Sequence, residues 1–342
     1  MLLSIGDQIR PGTYRFHSRF ERVVNFEHRG RLIAVVDQTI GPGPLNIVLR
    51  GLRAGAPVIP ALKECPPLRV GPKTVLFEGR RYPFTVRHRY ASTLDLAVTM
   101  QLTKALLDRG DTVDTARQVR NRTARSVWSA RSLLPLSNRP TPGNSASKLD
   151  ALQTLRAAAH PQIASRLVHN LSVLGESLKQ AAPAKSLAFL LDARRRKSFR
   201  AGFERAFARQ ITRGVREVFH GRLLQGIRQL KGCGLGLTPA GDDFIAGFLI
   251  GLHVLRQLRG QDMQSTADAV FRTARGKNIF SNTFLDLARR GLLFGRLKDL
   301  LLALVSGSEG SVRKAAGKLF GVGETSGADL ATGLFMTLQS AL

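Results

Sequence analysis

The spacing of apolar residues changes once along this chain, and that change limits the available folds more than any other feature. From Val23 to Tyr90 the apolar residues alternate or fall in short runs. "RVVNFEHRGRLIAVVD" alternates around a turn at Glu27-His28-Arg29-Gly30, and "LNIVL", "KTVLFEG" and "YPFTVRH" are separated by Gly and Pro. Alternation puts successive side chains on opposite faces of a strand. From Ser92 onward the spacing becomes three to four residues, the period of a helix buried along one face. "STLDLAVTMQLTKALLDRG" places Leu94, Ala97, Leu102 and Leu106 near one face, with Ser92 as N-cap and Gly110 just past the end. Strands first and helices after predict an α+β fold rather than alternating α/β. The expected division is a β-rich N-terminal domain over 1–91 and a mainly helical domain over 92–342. A stretch rich in Pro, Ser and Asn, "LLPLSNRPTPGNSASK", interrupts the helical part as a linker or exposed loop.

With 342 residues, 43% of them hydrophobic, the chain has enough apolar material for a sizeable core. Its start, "MLLSIGDQIRPG", lacks the basic and apolar regions of a secretory signal. The longest apolar run, Phe244 to Leu252, is far shorter than the ~20 residues of a membrane helix, so a cytoplasmic protein without a membrane partner is expected. Two cysteines, Cys65 and Cys233, cannot build a disulfide framework, and no Cys/His group has zinc spacing. Cys233 has no His or Lys beside it in sequence to activate it and is expected to be inert.

A net charge of +28 raises the question of a nucleic-acid partner. The densest basic segment is "DARRRKSFRAGFERAFARQITRGVREVFHGR". Within it Phe199, Phe203, Phe207, Ile211, Val215 and Phe219 recur every four residues, the mark of one apolar helix stripe. Arg200, Arg205, Arg209, Arg213 and Arg216 fall mostly off that stripe. A solvated exterior accounts for them; a polyanion or an acidic partner surface is the other reading. No helix-turn-helix, zinc-finger or RNP-like motif is present, so nucleic acid is not the expected partner despite the charge.

Chemistry concentrates in "GCGLGLTPAGDDFIAGFLIGLH", Gly232 to His253. Pro239-Ala240-Gly241-Asp242-Asp243 has the character of a helix start, with acids at the positive end of the dipole. Gly232, Gly234 and Gly236 free the backbone ahead of it to present N–H groups to an anion. The two aspartates point instead to a cation, divalent or monovalent, or to a proton to be moved, with Asp242 and Asp243 as candidate metal ligands. Capping alone is the plain alternative. Gly247 and Gly251 lie four apart on one helical face, where glycine costs ~1 kcal/mol relative to alanine, so another element must approach closely. "GVGETSGADLATGLF" repeats the pattern: Gly327-x-Asp329-x-x-x-Gly333 matches Gly241-x-Asp243-x-x-x-Gly247, and a threonine precedes each, Thr325 and Thr238. Two equivalent loop-to-helix junctions are expected to meet at one site. There Asp242, Asp243 and Asp329 would be catalytic, Thr238, Thr325 and Ser326 would be hydroxyl partners, and Gly234, Gly236, Gly241 and Gly327 would line the substrate.

"GLGLTPAGDDFIAG", "SNTFLDLARRG" and "GETSGADLATG" together resemble the family of the AllH-type subunit of oxamate carbamoyltransferase, and the early "IGPGPLNIVL" is similar to that family's N-terminal segment. Ser281 and Asn282, from the second of these runs, complete the expected substrate-binding set. The resemblance implies a subunit of a hetero-oligomeric bacterial enzyme of purine-derived and allantoin nitrogen catabolism. That enzyme moves a carbamoyl group between oxalurate and phosphate, giving oxamate and carbamoyl phosphate. A small anionic substrate and other subunits are then the implied partners.

One departure stands out. Well-studied carbamoyltransferases hold carbamoyl phosphate with a Ser-Thr-Arg-Thr type motif after a strand, and this chain has none. "NRTAR" (Asn121 to Arg125) and "FRTAR" (Phe271 to Arg275) come nearest, both in helix-like, solvated contexts. A site built differently would use backbone N–H groups of Gly234 to Gly236 with a nearby Arg on the phosphate or oxyanion, and Asp242 or Asp243 on the amide nitrogen or a cation. His253, ~15 Å along the helix, is too far to serve beside them. A non-catalytic scaffold or anion-sensing subunit, with the aspartates as caps or ligand anchors, is the alternative reading.

Overall fold

A computed structural model describes residues 1–52, 66–107 and 161–342, the side chains of 104–107 and 161–164 excepted. Cys65, Gly110, the Asn121–Arg125 run, the Pro/Ser/Asn-rich stretch and the Leu106 side chain lie outside the described residues. The fold is α+β: a curled nine-stranded sheet followed by a helical region.

Among the described residues nine strands come first: β1 (Leu2–Gly6), β2 (Gly12–Phe20), β3 (Val23–His28), β4 (Arg31–Asp37), β5 (Asn46–Leu49), β6 (Leu68–Val70), β7 (Thr74–Phe77), β8 (Arg80–Pro83) and β9 (Arg89–Tyr90). Their order across the sheet is β8-β7-β6-β2-β3-β4-β5-β1-β9, with β4–β5 and β1–β9 parallel and the other pairs antiparallel. β2 turns the sheet on itself, since Gly12–Tyr14 pair with β6 while Arg15–Phe20 pair with β3. Arg29 and Gly30 both take positive φ between β3 and β4, the twist a two-residue hairpin needs. "YPFTVRH" is not one strand. Its first residues close β8, and Val86–His88 form a 3₁₀ turn after the proline, which has no N–H to give a ladder. The inward residues Ile5, Val24, Phe26, Ile33, Val35, Ile47, Val75 and Phe77 make one apolar core.

Ten α-helices are described after it: α1 (Leu96–Leu107), α2 (Pro161–Ala181), α3 (Gly202–Phe219), α4 (Leu223–Leu230), α5 (Ala240–Arg259), α6 (Gln264–Ala274), α7 (Ile279–Arg289), α8 (Gly295–Ser306), α9 (Glu309–Phe320) and α10 (Ser326–Gln339). They enclose a second core in which α5 and α10 are buried along most of their length.

Two expectations are corrected. Ser92 does not cap α1. It is fully buried, and its N–H and hydroxyl both donate to Asp7 Oδ2 at 2.9 Å. Asp95 performs the capping, accepting from the Val98 N–H at 3.1 Å. The phenylalanine stripe is also not continuous: Phe199 precedes α3 after a 3₁₀ segment at Ala193–Ser198, and Phe203 is 67% exposed. A strict spacing of four drifts around a helix of 3.6 residues per turn, so the buried face runs instead through Ala208, Ile211, Val215 and Val218.

Sheet and helices are joined by polar contacts. The Tyr90 hydroxyl donates to Leu293 O, the Leu293 N–H donates to Ser92 O, and Arg296 reaches Thr39 O. Lys298 Nζ donates to Ala91 O and Thr93 O, and burial holds its pKa below the usual lysine value.

Candidate functional site

α5 and α10 start from two loops of matching construction. In the first, α4 ends at Leu230, whose carbonyl accepts from the Cys233 N–H; Cys233 O accepts from the Gly241 N–H, and Pro239 O from the N–H groups of Asp242 and Asp243. In the second, Leu319 O accepts from Val322 N–H, Val322 O from Gly327 N–H, and Thr325 O from Ala328 and Asp329 N–H. Gly241 and Gly327 are glycines for the same reason. A methyl on Gly241 would collide with Leu230 O, and one on Gly327 with Leu319 O. Further along, Gly247 meets the Leu330 carbonyl, Gly333 meets the Phe244 carbonyl, and Gly251 lies against Thr337, so the two helices cross backbone to backbone. The matching Gly-x-Asp spacing in the sequence thus corresponds to a repeated junction in space.

The first loop is the longer. Gly232, Gly234 and Gly236 take φ of 67°, 123° and 103°, a backbone that disfavours side chains at alternate positions. Gly234 folds back until a side chain there would touch the Ala240 N–H, while Leu235 projects into solvent at 87% exposure. The N–H groups of Gly234 to Leu237 hold no hydrogen bond among the described residues. Asn278 ties this loop down. Its Nδ2 donates to Leu237 O at 2.7 Å, and its Oδ1 caps α7 through Phe280 and Ser281. Lys231 Nζ, bound to the Arg275 carbonyl, brings the Arg275–Lys277 turn against the same loop.

The acids take different positions. Asp243 Oδ2 accepts from the Thr238 hydroxyl at 3.2 Å, and that hydroxyl lies 3.2 Å from Ser326 Oγ, so one polar chain joins both junctions. Burial pushes Asp243 well above the usual carboxylate range, opposed by the Ser326 and Thr238 hydroxyls and reinforced by the Asp329 charge. Asp329 is fully buried. Its Oδ1 accepts from the Leu187 N–H at 2.6 Å, its Oδ2 has no partner of good hydrogen-bond geometry among the described residues, and burial raises its pKa to about 7 against the opposing pull of the Leu187 N–H and the Thr325 hydroxyl. Asp242 turns away from this pair, because its Oδ1 accepts from the Gly232 N–H at 2.8 Å and closes the glycine loop. Thr325 contributes its carbonyl to the start of α10. Ser281 is buried with an unpartnered hydroxyl, and Asn282 clasps the backbone of Gly276 through both amide atoms.

A metal fits this donor set poorly. Among the described residues no three His, Cys, Asp or Glu side chains group as ligands, and the two acids nearest each other in sequence diverge. Cys233 is held protonated by burial and the Asp242 charge, in keeping with an inert thiol. His253 is remote from the acids, between Arg256 and Gln257, with its pKa lowered to about 4 by burial. Phe271 to Ala274 lie on α6, and Arg275 follows its end.

A cavity of about 270 Å³ lies between β3, β4 and the Pro42–Asn46 loop on one side and α5, α7 and the Gly321–Gly323 turn on the other. Among the described residues its lining is mostly apolar, and the one charged side chain there, Arg296, is bound to the carbonyls of Lys318, Gly321 and Thr39. Its chemistry does not suit a small anion, so the paired junctions are the better candidate.

Sequence reasoning missed Asn278 and Leu187. Asn278 was within reach, as an asparagine directly before an apolar run is an N-cap signature. Leu187 acts through its backbone, which leaves no mark in a sequence.

Residues 230–338 match the family model described as oxamate carbamoyltransferase subunit AllH. The match spans both junctions and α7; "IGPGPLNIVL" lies outside it. No curated protein and no solved structure matches the chain. Among the described residues no helix is long and apolar enough to cross a membrane.

Proposed function

We propose that this chain is a subunit of a carbamoyltransferase of the oxamate carbamoyltransferase type, and that the paired junctions carry its proton chemistry. The observation behind this reading is the Ser326–Thr238–Asp243 chain, which links half-exposed hydroxyls to a buried acid whose pKa burial raises well above the usual carboxylate range. In transfer from oxalurate, a phosphate oxygen attacks the carbamoyl carbon, the C–N bond to the oxamate nitrogen breaks, and that nitrogen takes up one proton while the phosphate loses one. A neutral carboxyl beside the bond gives the first proton and recovers the second, a role that needs the raised pKa burial provides. The unbonded N–H groups of Gly234 to Leu237, with Arg275 or Lys277 from the neighbouring turn, suit the phosphate or the developing oxyanion. Asp242 serves by fixing the glycine loop.

The complete burial of Asp329 favours a second reading, in which the acids only join two helices inside a scaffold subunit. Asp243→Asn separates the two. The assembly that co-purifies with the chain is assayed for oxamate and carbamoyl phosphate formation from oxalurate and phosphate. Proton transfer at Asp243 predicts a loss of about 100-fold or more in rate with little change in melting temperature. An unchanged rate sinks the catalytic reading and leaves the scaffold.

A further inference from the structure

The arginines of α3 and its flanks do not all behave as a solvated face. Several are tied to the protein. Arg195 donates to the carbonyls of Lys179, Ala182 and Pro183, Arg205 to that of Arg200, and Arg222 grips the Glu217 carboxylate. Arg209, Arg213 and Arg216 differ: they are exposed and make no hydrogen bond or close ion pair among the described residues. Their spacing of four and three puts them on one face of α3. Arg196, from the preceding 3₁₀ segment, faces them. Its guanidinium is fixed by the Thr212 hydroxyl at 3.1 Å and lies 5.7 Å from the Phe189 ring centre. These four side chains, with Thr212 and Glu217, line one hollow of about 370 Å³. Glu217 is bonded to Arg222 and its charge also acts on Arg213 and Arg216, so among the described residues of the hollow four guanidinium groups share one carboxylate that a fifth already holds.

We infer that this hollow binds an oligophosphate, the triphosphate chain of a nucleotide or of a related small metabolite. Like charges gathered from two elements repel unless an anion joins them, and guanidinium groups are forked donors that match phosphate oxygens two at a time. A triphosphate near neutral pH carries about as many charges as there are arginines here. The hollow also falls within the range of small-ligand sites, roughly 300 to 1,000 Å³. A nucleic-acid surface would instead need a basic track extending past one hollow to follow successive phosphates. α3 packs on α4 through the glycine contact of Gly214 with Leu230, and α4 leads into the glycine loop, so an occupant would sit on the helix packed against the one that ends at the candidate site.

The test is calorimetric titration of the full chain with inorganic tripolyphosphate, ATP, inorganic phosphate and a short DNA duplex. Two variants remove equal charge: Arg209→Gln/Arg213→Gln in the hollow, and Arg80→Gln/Arg81→Gln on exposed β8. Neither pair makes a side-chain hydrogen bond or close ion pair among the described residues. The expected result is that tripolyphosphate and ATP bind at least about tenfold tighter than phosphate, and that the first variant alone loses at least about tenfold of that affinity. Retention with ATP but not tripolyphosphate adds recognition of the base and keeps the proposal. Equal losses in both variants show attraction to bulk charge and overturn it. Tight DNA binding that tripolyphosphate cannot displace replaces it with a nucleic-acid surface.

Discussion

Gly247 and Gly333 stand opposite each other where α5 and α10 cross, each occupying the space the other helix's backbone requires. A methyl group on Gly247 would approach Leu330 O, and one on Gly333 would approach Phe244 O, both closer than the 3.0 Å that real Cβ atoms keep. The obstacle is backbone in both cases, so no side-chain rotation relieves it. Gly247→Ala and Gly333→Ala each gain ~1 kcal/mol of helix propensity, yet each should destabilise the chain by about 1–3 kcal/mol net through overpacking. Urea unfolding of the two variants measures this. Unchanged midpoints would mean that the helices can separate freely, and with them Asp243 and Asp329.

A second prediction concerns Asn170, 1% exposed on α2. Its Nδ2 donates toward Ala303 O, Leu304 O and Gly307 O where α8 ends, adding to the Gly307 N–H that already donates to Ala303 O. Asn170→Leu keeps the volume and removes the donor. The buried carbonyls left behind should cost about 1–3 kcal/mol, read as a lower unfolding midpoint.

Much of this was legible in the sequence, for physical reasons that can be named. Glycine inside a helix is unfavourable, so Gly247 and Gly251 pointed to a close neighbour, and the Gly-x-Asp repeat pointed to which one. The hairpin at Arg29–Gly30 was legible because few residues adopt its φ values. Contacts made by one polar atom across the fold were not. Ser92 reads as a cap by position, yet Asp7, 85 residues away, takes both its donors. Periodicity also misled at Phe203, because a spacing of four holds a face for two turns and then leaves it. The divergence of Asp242 from Asp243 follows from helix geometry, where neighbours point about 100° apart; adjacency in sequence suggested a pair that the helix separates.

Asn278 offers a prediction in which two roles come apart. Its Oδ1 caps α7 and its Nδ2 holds Leu237 O. Asn278→Asp keeps an acceptor for the cap and replaces the donor with an oxygen that repels the carbonyl. Stability should stay within about 1 kcal/mol of the parent, while the backbone order parameters of Gly234 to Leu237 should fall. Equal order parameters in both proteins would mean that the loop is held by its own glycines and not by Asn278.

The final prediction follows from the pKa of Asp329, about 7 in the folded chain against an ordinary value of 3.8. Between these values the native state holds a proton that the unfolded chain has released. The stability this gives is complete below the unfolded value and is lost as pH rises through 7, with a ceiling of about 4 kcal/mol. Asp243, raised by the same burial, adds to the same slope. His253 acts in the opposite sense. Its folded pKa is about 4 against 6.5, so its contribution is present above 6.5 and is lost as pH falls toward 4. The two slopes overlap between about pH 4 and 6.5 and offset each other there, leaving the parent protein flatter than either group alone would make it. Asp329→Asn removes the carboxyl but leaves an amide oxygen for the Leu187 N–H. Its stability should rise with pH across that window, where the His253 slope is less opposed, and should gain on the parent most strongly near neutrality. Urea midpoints for both proteins across the window decide the matter: parallel curves would show that Asp329 does not hold its proton in the folded chain.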